Sequence, residues 1–598
     1  MRFTWKLSGE AGFGITTIGF AFTKLCTRNG FHAFDYSEFP SLIRGGFTTH
    51  ELIFSDIPVA TTKPTIDLLI ALRQDNFDMD AHRLTTDSIV LYDDQEVKVQ
   101  GDFFAIPMPY RAIKLKHKAH QVMVNTVSVG ATFALFGWDF QMIDQMIEED
   151  FAKKGQGVID FNKVLAKEGW DYIQQLKIDN VQLKTRAEKL RTALIPPQEK
   201  KQKLVMSGND AFAYASVMAG AGAYTAYPMS PSSSVLATLA AWQHKTGMVV
   251  RHVEDEVSSI NQALGFSFVG VRVATGSSGG GFALMVEGVS YAGIAELPIV
   301  IFIAQRPGPA TGLPTWTAQA DLMFAIHAGH GEFPKIVLAP GDVSEMIELT
   351  AKAYDLADIY QTPVIVMSDK VLSESHESID ETAVRTLQSA YTPNRGKIVK
   401  ETTQSPYLRY KDSLDGISEL LIPGLQSPHH WQANSYEHLE DSHTTESSPE
   451  VIKQTDKRAR KQKTYLGELP YMGSKHIGFA PPSYYGSKDA QTVFVCWGGM
   501  KPAVIEAQSL LEQNNISVGV LHFTHVYPLA QTIKSIFDTS KRYMFVENNS
   551  EAQLAKVIRM ELGVDIGRAP EDQILRYDGR PLLADEIVRR TKLINNNV

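Results

Sequence analysis

Residues 223–268 read AYTAYPMSPSSSVLATLAAWQHKTGMVVRHVEDEVSSINQALGFSF. A short β-branched and aromatic run, Ala223 to Tyr227, stops at a Pro-Met-Ser-Pro turn, and Ser233 to Thr246 then repeats apolar residues at helical spacing up to Gly247. Met248 to Val253 again reads as strand and Asp255 to Phe268 as helix. Strands separated by crossover helices predict a parallel sheet covered on both faces, with its ligand crevice at the carboxyl ends of the strands.

The alternation continues outward. Helix Asp210 to Ala219 precedes it. Strand Arg272 to Thr275, helix Gly281 to Ala295, strand Pro298 to Ala304, helix Val343 to Leu356 and strand Pro363 to Ser368 follow, so the unit spans 204–385. The N-terminal residues 1–190 read as a second α/β domain: strand Phe3 to Leu7, the turn Gly9-Glu-Ala-Gly12-Phe-Gly14 and helix Ile15 to Arg28 open it. Strands at Thr48 to Phe54, Asp67 to Leu72, Ser88 to Tyr92 and Phe103 to Ile106 follow, with an apolar helix near Val122 to Phe136. From about Gln175 to Lys203 the pattern turns polar and charged, which predicts an interdomain linker, with 191–203 outside any domain. Residues 386–488, scattered with Pro, Ser, His and Tyr and carrying the basic run Lys453 to Lys463, predict an irregular connector. Residues 489–598 form a third α/β unit, with strands Thr492 to Trp497, Ser517 to Phe523 and Arg542 to Val546 and helices Pro502 to Asn514 and Ala552 to Leu562. The fold class is therefore α/β, multidomain.

A chain of 598 residues at roughly 150 per domain allows about four domains. Hydrophobic and charged shares of 44% and 21% exclude wholesale disorder, and 58 Lys+Arg against 67 Asp+Glu, net −9, argue against nucleic-acid binding. With only Cys26 and Cys496, the chain alone builds neither a disulfide framework, nor a tetrathiolate zinc site, nor a cysteine-ligated iron–sulfur cluster. Met1 to Arg28 lacks a signal-peptide layout, and the apolar run Leu297 to Ala304 is far short of the ~20 residues of a membrane span. The expectation is a cytoplasmic, soluble protein with no membrane association.

Several stretches can carry chemistry. The Gly9 to Gly14 turn is either a phosphate cradle or a tight strand-to-helix turn; Asp35 and Glu38 are its weak candidates for a ribose-binding acid. Arg44-Gly45-Gly46 presents a guanidinium at close backbone range or forms a surface hairpin. Tyr227-Pro-Met-Ser-Pro231, continued by Ser232 to Ser234, points hydroxyls and N–H groups into the crevice or caps the next helix. His252-Val-Glu254-Asp255-Glu256 places three acids in a first helical turn, where the dipole favours them, or holds one buried carboxyl that passes a proton to a ring nitrogen. Gln305-Arg306, followed by Pro-Gly-Pro-Ala-Thr311-Gly312-Leu-Pro314-Thr, suits bidentate capture of a carboxylate or makes a structural ion pair. His429, His430, His438 and His443 are read as solvated loop histidines, and no metal site is assigned.

Taken in order, Tyr227-Pro-Met-Ser-Pro231, Glu254-Asp-Glu256, Gly276-Ser-Ser-Gly-Gly-Gly281, Ala295-Glu-Leu-Pro298, Gln305-Arg306 and Gly329-His-Gly-Glu-Phe-Pro334 resemble the alpha subunit of 2-oxoacid:ferredoxin oxidoreductases. Gly9 to Gly14 and Ile43-Arg-Gly-Gly46 are similar to a gamma domain fused ahead of it, and Trp497-Gly-Gly499 and Val546-Glu-Asn548 to a transketolase-C-like C-terminal domain. The resemblance implies a coenzyme A-dependent oxidative decarboxylation of a 2-oxoacid, 2-oxoglutarate favoured, to acyl-coenzyme A, with electrons passed to ferredoxin. It implies thiamine diphosphate shared with a beta subunit that carries the pyrophosphate site, Mg2+ and a [4Fe-4S] cluster, in an (alpha-beta)2 hetero-oligomer. It makes Glu256 the carboxyl that hydrogen-bonds the aminopyrimidine and Arg306 the holder of the substrate carboxylate. Ser230 and Thr311 join the substrate site, Tyr227 and Pro228 the cofactor site. Trp316 stands where several relatives carry a basic residue.

Overall fold

The computed structural model describes residues 1–40, 46–198, 200–424 and 429–596. Arg44 and Gly45, singled out above, lie outside them. The chain divides into two compact units, residues 1–206 with 375–384, and residues 207–374 with 385–598.

The first unit is built on an eight-stranded sheet in the order Phe104–Met108, Ile89–Asp93, Leu68–Ala71, Arg2–Glu10, Phe47–Ser55, His32–Glu38, His376–Asp380, Lys203–Ser207. The first four pair in parallel, and Arg2–Glu10, Phe47–Ser55 and His32–Glu38 continue antiparallel. The predicted helix Ile15–Arg28 is present with those limits. Trp5, Phe22, Phe54, Phe133, Phe136 and Trp138 make its aromatic core. The expected linker is mostly helical: Gln156–Asp179 and Val181–Ala193 occupy it up to residue 193. Lys, Arg, Gln and Glu are good helix formers, so a polar run is compatible with a surface helix, and here only Leu183 and Ala187 of the second helix are buried. The chain also returns to this unit long after leaving it. Strand His376–Asp380 pairs antiparallel with His32–Glu38, and the His376 backbone N–H and Nδ1 meet Asp35 Oδ1 at 3.1 and 2.9 Å. Asp35, also an acceptor for the Thr23 hydroxyl at 3.0 Å, is 1% exposed and so is no ribose-binding acid.

The second unit carries a seven-stranded sheet ordered Val249–His252, Ala223–Ala226, Val273–Ser277, Ile299–Gln305, Pro363–Asp369, Ile336–Leu338, His525–Tyr527. The first six are parallel and the last, from the C-terminal region, is antiparallel. Ile299–Gln305 and Pro363–Asp369 are buried along their whole length, as central strands covered by helices on both faces must be. Helix Ser233–Thr246 has the predicted limits, whereas the expected helix Gly281 to Ala295 is broken into Gly279–Phe282 and Val286–Ile294. A five-stranded sheet, Ser483–Tyr485, Val518–Phe523, Thr492–Trp497, Arg542–Glu547, Gln573–Leu575, completes the unit.

The expected irregular connector contains an 18-residue helix, Ser448–Tyr465, and contributes Tyr407, Tyr410 and Trp431 to the core. Three cations of the basic run, Lys457, Arg458 and Lys461, lie on the buried face of that helix. Lys457 and Lys461 reach the two carboxylate oxygens of Glu296 at 2.7 and 2.6 Å, all three side chains at 1% exposure or less. Arg409, donating to the Glu296 carbonyl at 2.8 Å, lies 4.9 Å from the ring centroids of both Tyr410 and Trp431, which meet edge to face. His438, read above as a solvated loop histidine, is instead buried, stacked on Tyr410 at 3.5 Å and bonded to the Ile294 carbonyl.

Candidate active site

From Ala223–Ala226 the chain steps outward to the edge strand Val249–His252, then back past it to Val273–Ser277 and Ile299–Gln305. The direction of winding therefore reverses beside Ala223–Ala226, the place where an open parallel sheet leaves a crevice. The loops after these four strands carry Tyr227–Pro231, Val253–Glu256, Ser278–Gly281 and Arg306–Thr315, so topology alone gathers residues spread over ninety positions at one end of the sheet. The edge strand is largely exposed.

Glu256 is the first residue of helix Glu256–Phe268. Asp255 takes the capping role, its carboxylate accepting from the Ser258 N–H at 2.7 Å. Glu256 is left to point inward, 2% exposed, with Oε1 accepting from Ser277 Oγ at 3.0 Å; Oε2 has no hydrogen-bond partner among the described residues. The neighbouring hydroxyl of Ser278 is buried and unpartnered. Gly281 closes this pocket: a Cβ there would lie 2.0 Å from Ser277 Oγ and 2.2 Å from Glu256 Oε1. Gly281→Ala is therefore expected to displace the Glu256 carboxylate and destabilise the chain by about 1–3 kcal/mol, checked by thermal melting.

Arg306 stands at the end of strand Ile299–Gln305, and its Nη1 donates to the Ser230 carbonyl at 2.8 Å, tying the two loops together. Its Nε is buried without a partner. Burial lowers its pKa, opposed by Asp321 and Glu256, which places both carboxyls within its electrostatic reach. Asp321 carries no signal in the sequence, yet its Oδ2 is buried and unpartnered, and a Cβ added at Gly279 would lie 2.2 Å from it. Burial pushes its pKa up to about 6, with Arg306 pulling the other way.

The other expected site residues are less engaged. The Ser230 carbonyl is used but its hydroxyl has no partner among the described residues. Tyr227, 38% exposed and 6.2 Å ring to ring from His252, and Pro228 lie at the crevice mouth. Thr311 is exposed and is not brought to Glu256 or Arg306 by any hydrogen bond. Ser277 belongs to the Gly276–Gly281 stretch quoted above, but only the structure reveals its bond to Glu256. Among the described residues no group of three or more His, Cys, Asp and Glu side chains is arranged to hold a metal, and no helix is long and apolar enough to cross a membrane.

A buried carboxyl after the edge strand and an arginine two strands beyond its neighbour thus share the crevice at the switch point of the parallel sheet. Residues 214–457 match the family described as pyruvate flavodoxin/ferredoxin oxidoreductase, thiamine diphosphate-binding, and residues 4–172 the family pyruvate ferredoxin/flavodoxin oxidoreductase. The chain is 30% identical to 2-oxoacid:ferredoxin oxidoreductase 2, subunit alpha, of Aeropyrum pernix, over 79% of this chain and 72% of that one. It is 29% identical to the corresponding alpha subunit of a Sulfolobus species, over 98% and 96%. A solved structure of 2-oxoglutarate:ferredoxin oxidoreductase from Magnetococcus marinus, with 2-oxoglutarate, coenzyme A and succinyl-CoA bound, superposes with a TM-score of 0.85 at 28% identity over 99% of both chains. The chain belongs to the 2-oxoacid:ferredoxin oxidoreductase family, as an alpha subunit of a multi-subunit enzyme.

Proposed function

We propose that this chain supplies the pyrimidine-holding half of a thiamine diphosphate site for the coenzyme A-dependent oxidation of a 2-oxoacid, 2-oxoglutarate favoured. The observation that carries the reading is the buried Glu256 carboxyl, bonded to Ser277 and walled by Gly281, on the crevice that Arg306 shares. Those residues suit the cofactor: Oε2 of Glu256 and the hydroxyl of Ser278 are polar atoms without protein partners, where a polar ring edge can pair with them. Tyr227 and Pro228 at the mouth join Glu256 in holding it. When bound, thiamine diphosphate supplies the nucleophile and the electron sink for decarboxylation.

The chain's own residues then have separate tasks. Glu256 would hold the cofactor's ring through Oε2 and could exchange a proton there. Arg306, fixed through Nη1 to Ser230, keeps Nε for the substrate carboxylate, so the 2-oxoacid is oriented before its carboxyl group is lost. The hydroxyls of Ser230 and Thr311 complete the substrate side. Mg2+, the pyrophosphate contacts and the [4Fe-4S] cluster belong to a beta subunit, since two buried, separate cysteines here cannot ligate a cluster; the beta subunit passes electrons to ferredoxin, in a cytoplasmic (alpha-beta)2 assembly. The bound ligands of the Magnetococcus marinus structure support 2-oxoglutarate as substrate.

The test is to copurify the chain with its beta partner and measure coenzyme A-dependent ferredoxin reduction with 2-oxoglutarate, pyruvate and branched-chain 2-oxoacids. Turnover with none of them points to a noncatalytic assembly subunit. Arg306→Met is expected to raise the KM for the 2-oxoacid by about 10–100-fold, the cost of a lost charged hydrogen bond, and to leave the KM for coenzyme A unchanged.

A further inference from the structure

The loop after Arg306 is held in place by the C-terminal part of the same unit. Leu313 N–H donates to the Pro307 carbonyl at 2.9 Å and Trp316 N–H to the Leu313 carbonyl at 3.2 Å, so the loop doubles back and returns Trp316 toward Arg306. Thr317 N–H then donates to the carbonyl of Gly579 at 3.1 Å. Gly579 has a φ of +83°, and a Cβ there would fit only tightly, 3.1 Å from Leu313 and 3.2 Å from Trp316. This close approach lays the next residue, Arg580, on the indole: its guanidinium carbon lies 3.2 Å from the Trp316 ring centroid.

That cation has no carboxylate of its own. Its nearest acid in sequence, Asp578, is taken by Arg576, whose Nε and Nη2 reach it at 2.9 and 3.0 Å, and by the Arg580 backbone N–H at 2.9 Å. Among the described residues Arg580 makes no ion pair, and its guanidinium donates to no protein acceptor, in a chain whose acidic residues outnumber its basic ones by 67 to 58. Stacking satisfies the flat face of a guanidinium and leaves its N–H edge open, the edge that matches a carboxylate in bidentate geometry. The partner indole belongs to the loop that starts at Arg306, so two guanidiniums frame one loop.

We propose that Arg580, held on Trp316, is a specificity-determining residue that binds the distal carboxylate of a dicarboxylic 2-oxoacid while Arg306 holds the carboxylate next to the keto group. The inference rests on the function proposed above and deepens it: the C-terminal domain, and not only the sheet that carries Glu256, reads the substrate.

The test uses the complete enzyme with its beta subunit, comparing wild type, Arg580→Met and Arg580→Lys for KM and kcat with 2-oxoglutarate, pyruvate and coenzyme A. Arg580→Met keeps an unbranched side chain over the indole and removes the charge. It is expected to raise the KM for 2-oxoglutarate by at least about tenfold, with the constants for pyruvate and coenzyme A unchanged and the melting temperature retained, and Arg580→Lys should recover part of the loss. An unchanged KM for 2-oxoglutarate, an equal rise for pyruvate, or a rise for coenzyme A instead would each overturn the assignment, the last by giving the cation to the phosphates of coenzyme A. Wild-type turnover of pyruvate but not 2-oxoglutarate overturns it too. Turnover of neither substrate overturns the underlying function, and this inference with it.

Discussion

Glu256→Gln is expected to lower kcat of the assembled enzyme by about 10²–10⁴-fold, the range for losing a positioned proton-transfer group. The substitution is chosen for what it preserves. Gln keeps a carbonyl oxygen able to accept from Ser277 Oγ, now at 3.0 Å from Oε1, and keeps the volume that Gly281 accommodates. Folding and assembly of the multi-subunit enzyme should therefore be unaffected, while the amide cannot hold and release a proton at this position. Cofactor affinity measured by calorimetry separates this from a packing defect: a modest loss of affinity with a large loss of kcat is the expected pattern. Turnover within about threefold of wild type would remove Glu256 from proton transfer, since even the weakest general acid–base contribution exceeds that.

The second large effect concerns stability. Glu296→Gln is expected to destabilise the second unit by about 3–5 kcal/mol near neutral pH, the cost of stripping the counter-charge from buried cations. Burial opposes ionisation of Glu296, but Lys457, Lys461 and Arg409 outweigh it and hold its carboxyl well below the usual range. Burial also dominates the lysines, pushing Lys457 down to about 8 and Lys461 to about 7, with Glu296 pulling both back up. The attraction is fully present while both lysines are protonated, below pH about 7, and is lost as pH rises through about 7 to 8, where they shed their protons in the folded state. In the unfolded chain they stay protonated to about 10.4 in both proteins. Without Glu296 both lysines shed their protons at lower pH still, so the deficit of the variant should narrow as pH rises toward about 8, above which both folded proteins hold neutral lysines, and denaturant unfolding at several pH values measures it. Replacing both lysines by methionine in the Glu296→Gln background should restore most of the stability, because no buried cation pair is then left unopposed. A deficit that is independent of pH would show that the cluster acts through packing alone.

The residues decide how much of this can be read without coordinates. Helices Ile15–Arg28 and Ser233–Thr246 and strand Thr492–Trp497 lie where the sequence places them, because each buries an apolar face or run between unambiguous breaks. Helix Ser448–Tyr465 escapes that reading because its buried positions include Gln454, Lys457, Arg458 and Lys461. A face of lysines looks solvated until its partner is known, and that partner, Glu296, is 161 residues away from Lys457 in the chain. The site divides in the same way. Glu256 and Arg306 follow strands and so declare their position. Ser277's bond to Glu256, Asp321 within electrostatic reach of Arg306 and the seat of Arg580 on Trp316 are products of tertiary approach, for which no local spacing exists.

The return of residues 375–384 to the first sheet constrains how the polypeptide is made. Strand His376–Asp380 lies between His32–Glu38 and Lys203–Ser207, so during synthesis the amino-terminal sheet waits for about 170 further residues before its seventh position is filled. Until then the edge of His32–Glu38 is open to pairing with other chains. A gene split between residues 206 and 207 would separate that sheet from its own strand. Pulse-labelled chains released at residue 206 are the species in which self-association should be sought, and a chaperone that shields one open β-edge would suffice to prevent it.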